Sequence, residues 1–329
     1  MLLQVELRDV AAIKVAEYLE TTGLTPDAAQ VWLAISRTNP YDRKARERFA
    51  DLAFDLTGGQ YPRGSVGRSR FLLSLMYAFP TPKLTAAYFE NLAQLLGGLP
   101  RRTTPGEVVL GLGSGRCGST TLAASMAAVH GACATHENPP CIYWQPLEEQ
   151  IRFHLDRFRL LADYYALVFD AAHWWLNILD RFFAEFPDGK AIGLNRNVDA
   201  CVQSFLNVKG RGRQSVNHWA ANSTPMWAAN PWDPVYPSYP VPEGIHPDSE
   251  AAYAIKGAMI HRYVSEYNQS LMKLAEVWPE KIHPVRTEEL GDDHTARCLS
   301  QFVGQSIAIS GVPLNVGTML DGSQPTFWV

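Results

Sequence analysis

The sequence predicts an α/β protein: a parallel sheet flanked by helices, preceded by an all-helical N-terminal region. Three observations carry that expectation. Residues 1 to about 100 show no strand-like alternation and break into helix-length runs. From Glu107 onward, short apolar runs alternate with helical ones, the pattern of a sheet covered on both faces. The first of these runs, "EVVLGL", feeds a glycine-rich turn that opens a helix. In such sheets, ligands bind at the carboxyl ends of the strands.

The elements follow from local signals. "DVAAIKVAEYLETTG" ends in a glycine, as helices often do. "TPDAAQVWLAISRTNP" starts on Thr-Pro and stops at a proline, and "YDRKARERFADLAFDLTGG" closes on a glycine pair. The helix-turn-helix rhythm faintly resembles one degenerate tetratricopeptide unit, too little for a stacked array. "RRTTPG", residues 101–106, marks the expected boundary between a helical region, 1–100, and a sheet domain, 101–329. In that domain the sequence predicts strands at "EVVLGL", "ACATHE", "KAIGLN" and "KIHPVR". It predicts helices at 119–130, 146–160, 163–186 and 249–278, and at "VDACVQSFLNV" and "DDHTARCLSQFVG". Residues 209–250 read as irregular and rich in Pro and Trp.

Composition bounds the function. With 47% hydrophobic and 19% charged residues among 329, the chain reads as a soluble globular protein. A formal net charge of -4 offers no broad footprint for nucleic acid or an anionic membrane. The N-terminal stretch carries acidic residues where a signal peptide needs an apolar core, and no run approaches a membrane span. Five widely spaced cysteines without a C-x-x-C pair read as reduced thiols in a cytoplasmic protein, with no zinc site.

The turn "GLGSGRCGSTTL" admits three readings. As a nucleoside-triphosphate loop it has the glycine spacing, Gly113 to Gly118 followed by Ser119 and Thr120, but lacks the lysine that reaches the β- and γ-phosphates. As a dinucleotide fingerprint, Gly113, Gly115 and Gly118 satisfy G-x-G-x-x-G, and Glu137 lies 19 residues beyond the last of them. Against that stands the expected pair of long helices before the next strand. A Rossmann-type NAD(P)-dependent oxidoreductase is therefore the alternative enzyme, and a non-catalytic adenylate-binding module the alternative outside enzymology.

In the third reading, "GRCGSTTL" resembles the 5′-phosphosulfate loop of the sulfotransferases that use 3′-phosphoadenosine 5′-phosphosulfate (PAPS). The resemblance extends to Arg196 and Ser204, eight residues apart in "NRNVDACVQSF", where the family holds the 3′-phosphate. A Tyr-Asn pair in a long helix and the segment "RTEEL", with Thr287 in place of the family's aromatic, complete the match over about residues 107–305. It implies a P-loop-like parallel sheet and PAPS as donor, with adenosine 3′,5′-bisphosphate (PAP) as product. It further implies sulfuryl transfer to a hydroxyl or amine of a small-molecule or glycan acceptor. Cys117, Gly118, Ser119, Thr120 and Thr121 would cradle the phosphosulfate through backbone N–H groups at a helix start, without a metal, while Arg116 would stand at the bridging oxygen as a catalytic cation that neutralises charge on the leaving phosphate. Arg196, Ser204, Lys209 and Arg211 would hold the 3′-phosphate, since the C-terminal tail lacks the family's basic glycine loop.

The resemblance also implies a general base after the second strand. Glu137 is the candidate and its neighbour His136 the reserve, adjacent residues that tend to point to opposite sides. His173 and His218 are read as packed histidines. The aromatic segment 209–250 is expected to line an acceptor pocket, and the N-terminal helices to serve a homo-oligomer or protein partner.

Overall fold

The computed structural model describes residues 2–38, 43–76, 80–142, 146–209 and 249–309. Three helices come first: α1 (Leu2–Thr21), α2 (Thr25–Thr38) and α3 (Arg43–Thr57). They pack round the buried Trp32 with Ala16, Ala28, Ile35 and Leu52, a cluster of their own. The Trp32 indole donates to Glu20 Oε1 at 2.5 Å, so the one polar atom of that core side chain is satisfied.

Helices α4 (Val66–Leu75) and α5 (Pro82–Leu96) start on side-chain caps. Ser65 accepts from Arg68 N and Thr81 from Leu84 N, with Pro82 pre-set for the first turn. Their apolar faces, Leu72, Leu73, Tyr88 and Leu92 among them, share one core with the sheet.

The sheet consists of β1 (Glu107–Leu112), β2 (Ala132–His136), β3 (Leu167–Ala171), β4 (Lys190–Asn195) and β5 (Ile282–Arg286), in the order β2-β3-β1-β4-β5. Every pairing is parallel. The expected α/β architecture, a parallel sheet flanked by helices behind helical N-terminal elements, is the observed one.

Side chains alternate across the sheet, as period-two strands require. Val109, Phe169 and Ile192 face α6 (Ser119–Ala127) and α11 (Asp293–Val303), where Leu122, Met126, Leu299 and Val303 cover them. Val108, Leu110 and Val168 face the opposite layer, built from α5, α7 (Glu148–Ala162), α9 (Val198–Lys209) and α10 (Glu250–Val277). Among the described residues no helix is long and apolar enough to cross a membrane.

One element corrects the sequence reading. The helix expected over 163–186 is instead β3, a 3₁₀ helix at His173–Ile178 and α8 (Leu179–Glu185). The run "YYALVFDAAHWWLNILDRFF" is apolar at most positions, so periodicity cannot separate a buried strand from a buried helix there. Only α7 therefore lies between β2 and the next strand, not two long helices.

Asp170 of β3 is fully buried. Its oxygens accept from Thr135 Oγ1 at 2.5 Å and Trp175 Nε1 at 2.8 Å. Burial raises its pKa, opposed chiefly by the charge of Arg157, itself fully buried on α7. Behind them His154 Nε2 meets the Pro140 carbonyl at 2.6 Å.

Candidate functional site

The glycine turn leaves the carboxyl end of β1, the central strand, and enters α6. Two of its glycines sit where a side chain would clash or strain the backbone. A Cβ on Gly113 would stand 2.2 Å from the Cys117 sulfur. Gly118 caps α6 at φ 87°, a backbone region open to glycine at no steric cost. Its cap carries no side-chain hydrogen bond. The start of α6 thus presents backbone donors and the positive end of a helix dipole without a built-in carboxylate or hydroxyl cap.

The candidate residues gather round that helix start. Arg116 Nε donates to Ser204 Oγ at 3.3 Å, across 88 residues of sequence. Arg196 Nη1 donates to the Arg116 carbonyl at 2.5 Å. The Arg196 guanidinium therefore lies close enough to act on Arg116: burial first and the charge of Arg196 second lower the Arg116 pKa. Glu137 is among the groups that counter this. Among the described residues, no carboxylate lies within ion-pair distance of Arg196.

Backbone geometry singles out the same residues. Among the described residues only two that are not glycine have positive φ, Arg116 at 55° and Glu137 at 49°. Each such residue costs about 1–2 kcal/mol, and strain of this kind concentrates at functional sites.

His136 and Glu137 point in different directions, as neighbours at a strand end should. His136 Nε2 lies 2.9 Å from Ser119 Oγ, which commits its ring to the first turn of α6. Glu137 Oε1 lies 3.6 Å from His173 Nδ1, with the carboxylate side chain 41% exposed and the imidazole 3%. Glu137 is thus the partly open carboxylate of the pair of candidates.

Cys117 is buried beneath the loop, and its carbonyl accepts from Thr287 Oγ1 at 2.7 Å. Leu290, from the same "RTEEL" segment, lies next to Gly118. Thr287 therefore ties β5's exit to the glycine turn. The Tyr-Asn pair of α10 has a comparable task. Tyr267 Oη accepts from Gly113 N at 2.9 Å and donates to the His173 carbonyl at 3.1 Å. Asn268 Nδ2 donates to the Arg196 carbonyl at 3.0 Å. Asn197 caps α9 by accepting from Ala200 N at 3.0 Å, and its own N–H donates to Glu288 Oε1 at 3.1 Å.

Lys209 ends α9, but its side chain, Arg211 and the aromatic segment 210–248 lie outside the described residues, as does the tail from Ser310. Sequence reasoning missed Cys201, whose thiol donates to the Gly115 carbonyl at 3.2 Å, and missed the contact of His173 with Glu137. Cys201 falls between Arg196 and Ser204, on the helix that carries Ser204, and that position was the available signal. His173 had none, since it stood inside an expected helix.

No protein-family model matches the sequence, and the curated proteins contain no match to it.

Proposed function

We propose that the protein is a sulfotransferase that moves a sulfuryl group from PAPS to a hydroxyl or amine of a small-molecule or glycan acceptor. The observation that carries this reading is the meeting of Arg116, Ser204 and Arg196 at the start of α6. Two partly buried cations next to a helix N-terminus form a site for a multiply charged anion. The residues fit such a donor. The helix start offers backbone N–H groups for one phosphate, and Arg196 with Ser204 offers a second anion site nearby. When bound, the donor supplies the sulfuryl group and a bisphosphate as its leaving group.

The chain's own residues then have distinct tasks. Glu137 stands at the end of β2 with an open carboxylate, suited to accept the acceptor's proton. Arg116 stabilises negative charge growing on the departing phosphate, a role that positioned cations perform without reorganising. His136 orients the Ser119 hydroxyl. None of the five cysteines is in a disulfide, which suits a reducing compartment, and we place the protein in the cytoplasm.

The dinucleotide reading loses its strand geometry. In a Rossmann half the acidic residue ends the strand next to β1. Here β1 is flanked by β3 and β4, and Glu137 follows β2 at the sheet's edge. The test is calorimetric titration with PAP beside NADH and ATP, followed by Glu137→Gln. Binding of PAP alone is expected, with Glu137→Gln keeping that binding and losing PAPS turnover. Binding of NADH without PAP would overturn the proposal.

A further inference from the structure

We propose that His173 is a positioning residue that aims the Glu137 carboxylate, and that Tyr267 ties its placement to the phosphate loop. The inference rests on the sulfotransferase reading for the reaction it serves, and on the geometry for the pairing itself.

β2 and β3 run parallel, with His136 opposite Ala171, and the ladder continues one step further through Glu137 N to the Ala171 carbonyl at 2.8 Å. The residues just past the two strand ends are therefore neighbours. Glu137 turns there into left-handed backbone, φ 49°, while Ala172 stays extended and hands the chain to the 3₁₀ helix that His173 begins. This arrangement sets Oε1 of Glu137 3.6 Å from Nδ1 of His173.

One contact holds the imidazole and two more hold its backbone and neighbour. Trp174 lies edge-on to it, with centroids 4.9 Å apart. Trp175, one residue further, is anchored through its indole N–H to the buried Asp170. The His173 carbonyl accepts from Tyr267 Oη, which also accepts the N–H of Gly113, the first glycine of the phosphate loop. A buried ring thus faces a half-exposed carboxylate, and one tyrosine hydroxyl fixes both that ring's backbone and the loop. Charged and titratable neighbours of the pair are Arg116 from the loop and Tyr263 and Tyr267 from α10.

A carboxylate on a long, partly exposed side chain samples several rotamers, and a base must meet its proton within hydrogen-bond reach. His173 restricts that choice because a small rotation of the Glu137 side chain closes the 3.6 Å contact to a hydrogen bond from Nδ1, leaving the other oxygen for the acceptor. The proton leaves the acceptor for Glu137, and His173 keeps its own.

Two substitutions separate this role from packing. Asparagine places an amide N–H near the site of Nδ1, whereas glutamine places one near Nε2. The reaction is followed as release of PAP from PAPS with water as the acceptor, so no natural acceptor is needed. His173→Gln is expected to lower kcat by about 10- to 100-fold, the loss typical of a misplaced catalytic group. His173→Asn should recover most of that loss, while the Kd for PAP stays within about twofold in both variants, since donor contacts are untouched. Equal rates for the two variants, or a loss of PAP affinity parallel to the loss of rate, would overturn the proposal.

A double-mutant cycle of Glu137→Gln and His173→Gln on urea unfolding reads the pair without any donor. Non-additive effects are expected, and additive ones overturn the pairing. If wild type neither binds PAP nor consumes PAPS while the cycle is non-additive, the sulfotransferase reading fails and the pairing stands.

Discussion

Replacing Arg196 by alanine separates an anion site from an ordinary surface cation. The guanidinium donates to the Arg116 carbonyl and lies near the Arg116 side chain, whose pKa it helps to lower. In the free protein, two effects of opposite sign follow. The loop carbonyl loses a hydrogen bond worth about 1 kcal/mol, and Arg116 is relieved of a like charge. The melting temperature should therefore move little. In the complex the effects no longer cancel, because an anion that bridged two cations now meets one. A hydrogen bond to a charged group contributes about 1.5–3 kcal/mol, which corresponds to about 10- to 150-fold weaker binding of PAP. Calorimetry at two salt concentrations measures it, and the variant should also show the shallower salt dependence, having fewer charges to screen. Arg286→Ala is the control, since that side chain is 70% exposed and faces Glu289 at 3.6 Å. If Arg196→Ala binds PAP as tightly as wild type, or if Arg286→Ala weakens binding equally, the anion-site argument is refuted.

Three further outcomes follow from the buried groups. Burial first and the Arg157 charge second hold the His154 pKa well below 6.5, whereas the unfolded chain protonates near that value. Stability is then present at neutral pH and lost as pH falls below about 6.5, by up to about 1.4 kcal/mol per pH unit. His154→Phe should flatten that slope in urea titrations at acidic pH; an unchanged slope would exclude His154 as its source. Asp170→Asn removes a buried negative charge that Arg157 feels without an ion pair between them, and should cost about 1–3 kcal/mol. Adding Arg157→Met should restore part of the loss, and no recovery in thermal unfolding would contradict the coupling. Burial raises Cys117 and Cys133 to about 11 and Cys201 to about 12, and Cys141 is also buried. Cys298, partly exposed on α11, should be the one thiol of five to react rapidly with an aromatic disulfide, as peptide mapping would check.

What the sequence conveyed, and what it withheld, has a physical basis. Strands β1, β2, β4 and β5 were legible because each is a short apolar run closed by a glycine, asparagine or charged residue. β3 was hidden by its surroundings, where aromatic and aliphatic residues continue past both ends and no turn residue marks the change. In the site, Arg116, Ser119, Arg196 and Ser204 were found because one loop and one strand-to-helix turn carry them at fixed spacing. His173 and Tyr267 act through contacts made only in the folded chain; Tyr267 reaches Gly113 across 154 residues. A tyrosine on an apolar helical stripe reads as core, and by burial it is. Its hydroxyl, however, joins two ends of the site. Local patterns report elements and loops, while hydrogen bonds between distant elements leave no spacing to read.

The strand order carries a consequence for how the chain acquires its site. β1 is made before both of its neighbours, since β3 begins at Leu167 and β4 at Lys190. During synthesis the glycine turn is thus tethered to an unpaired strand for as long as its flanks are missing. Arg196 follows β4, and Tyr267 and Thr287 come later still. Non-local pairing of this kind is slow to form. The N-terminal cluster of α1–α3 relies on near-sequence contacts and is free to fold early. The contacts that join Gly113, Arg116 and Cys117 to later elements therefore arrive only once β4, α10 and β5 have been made.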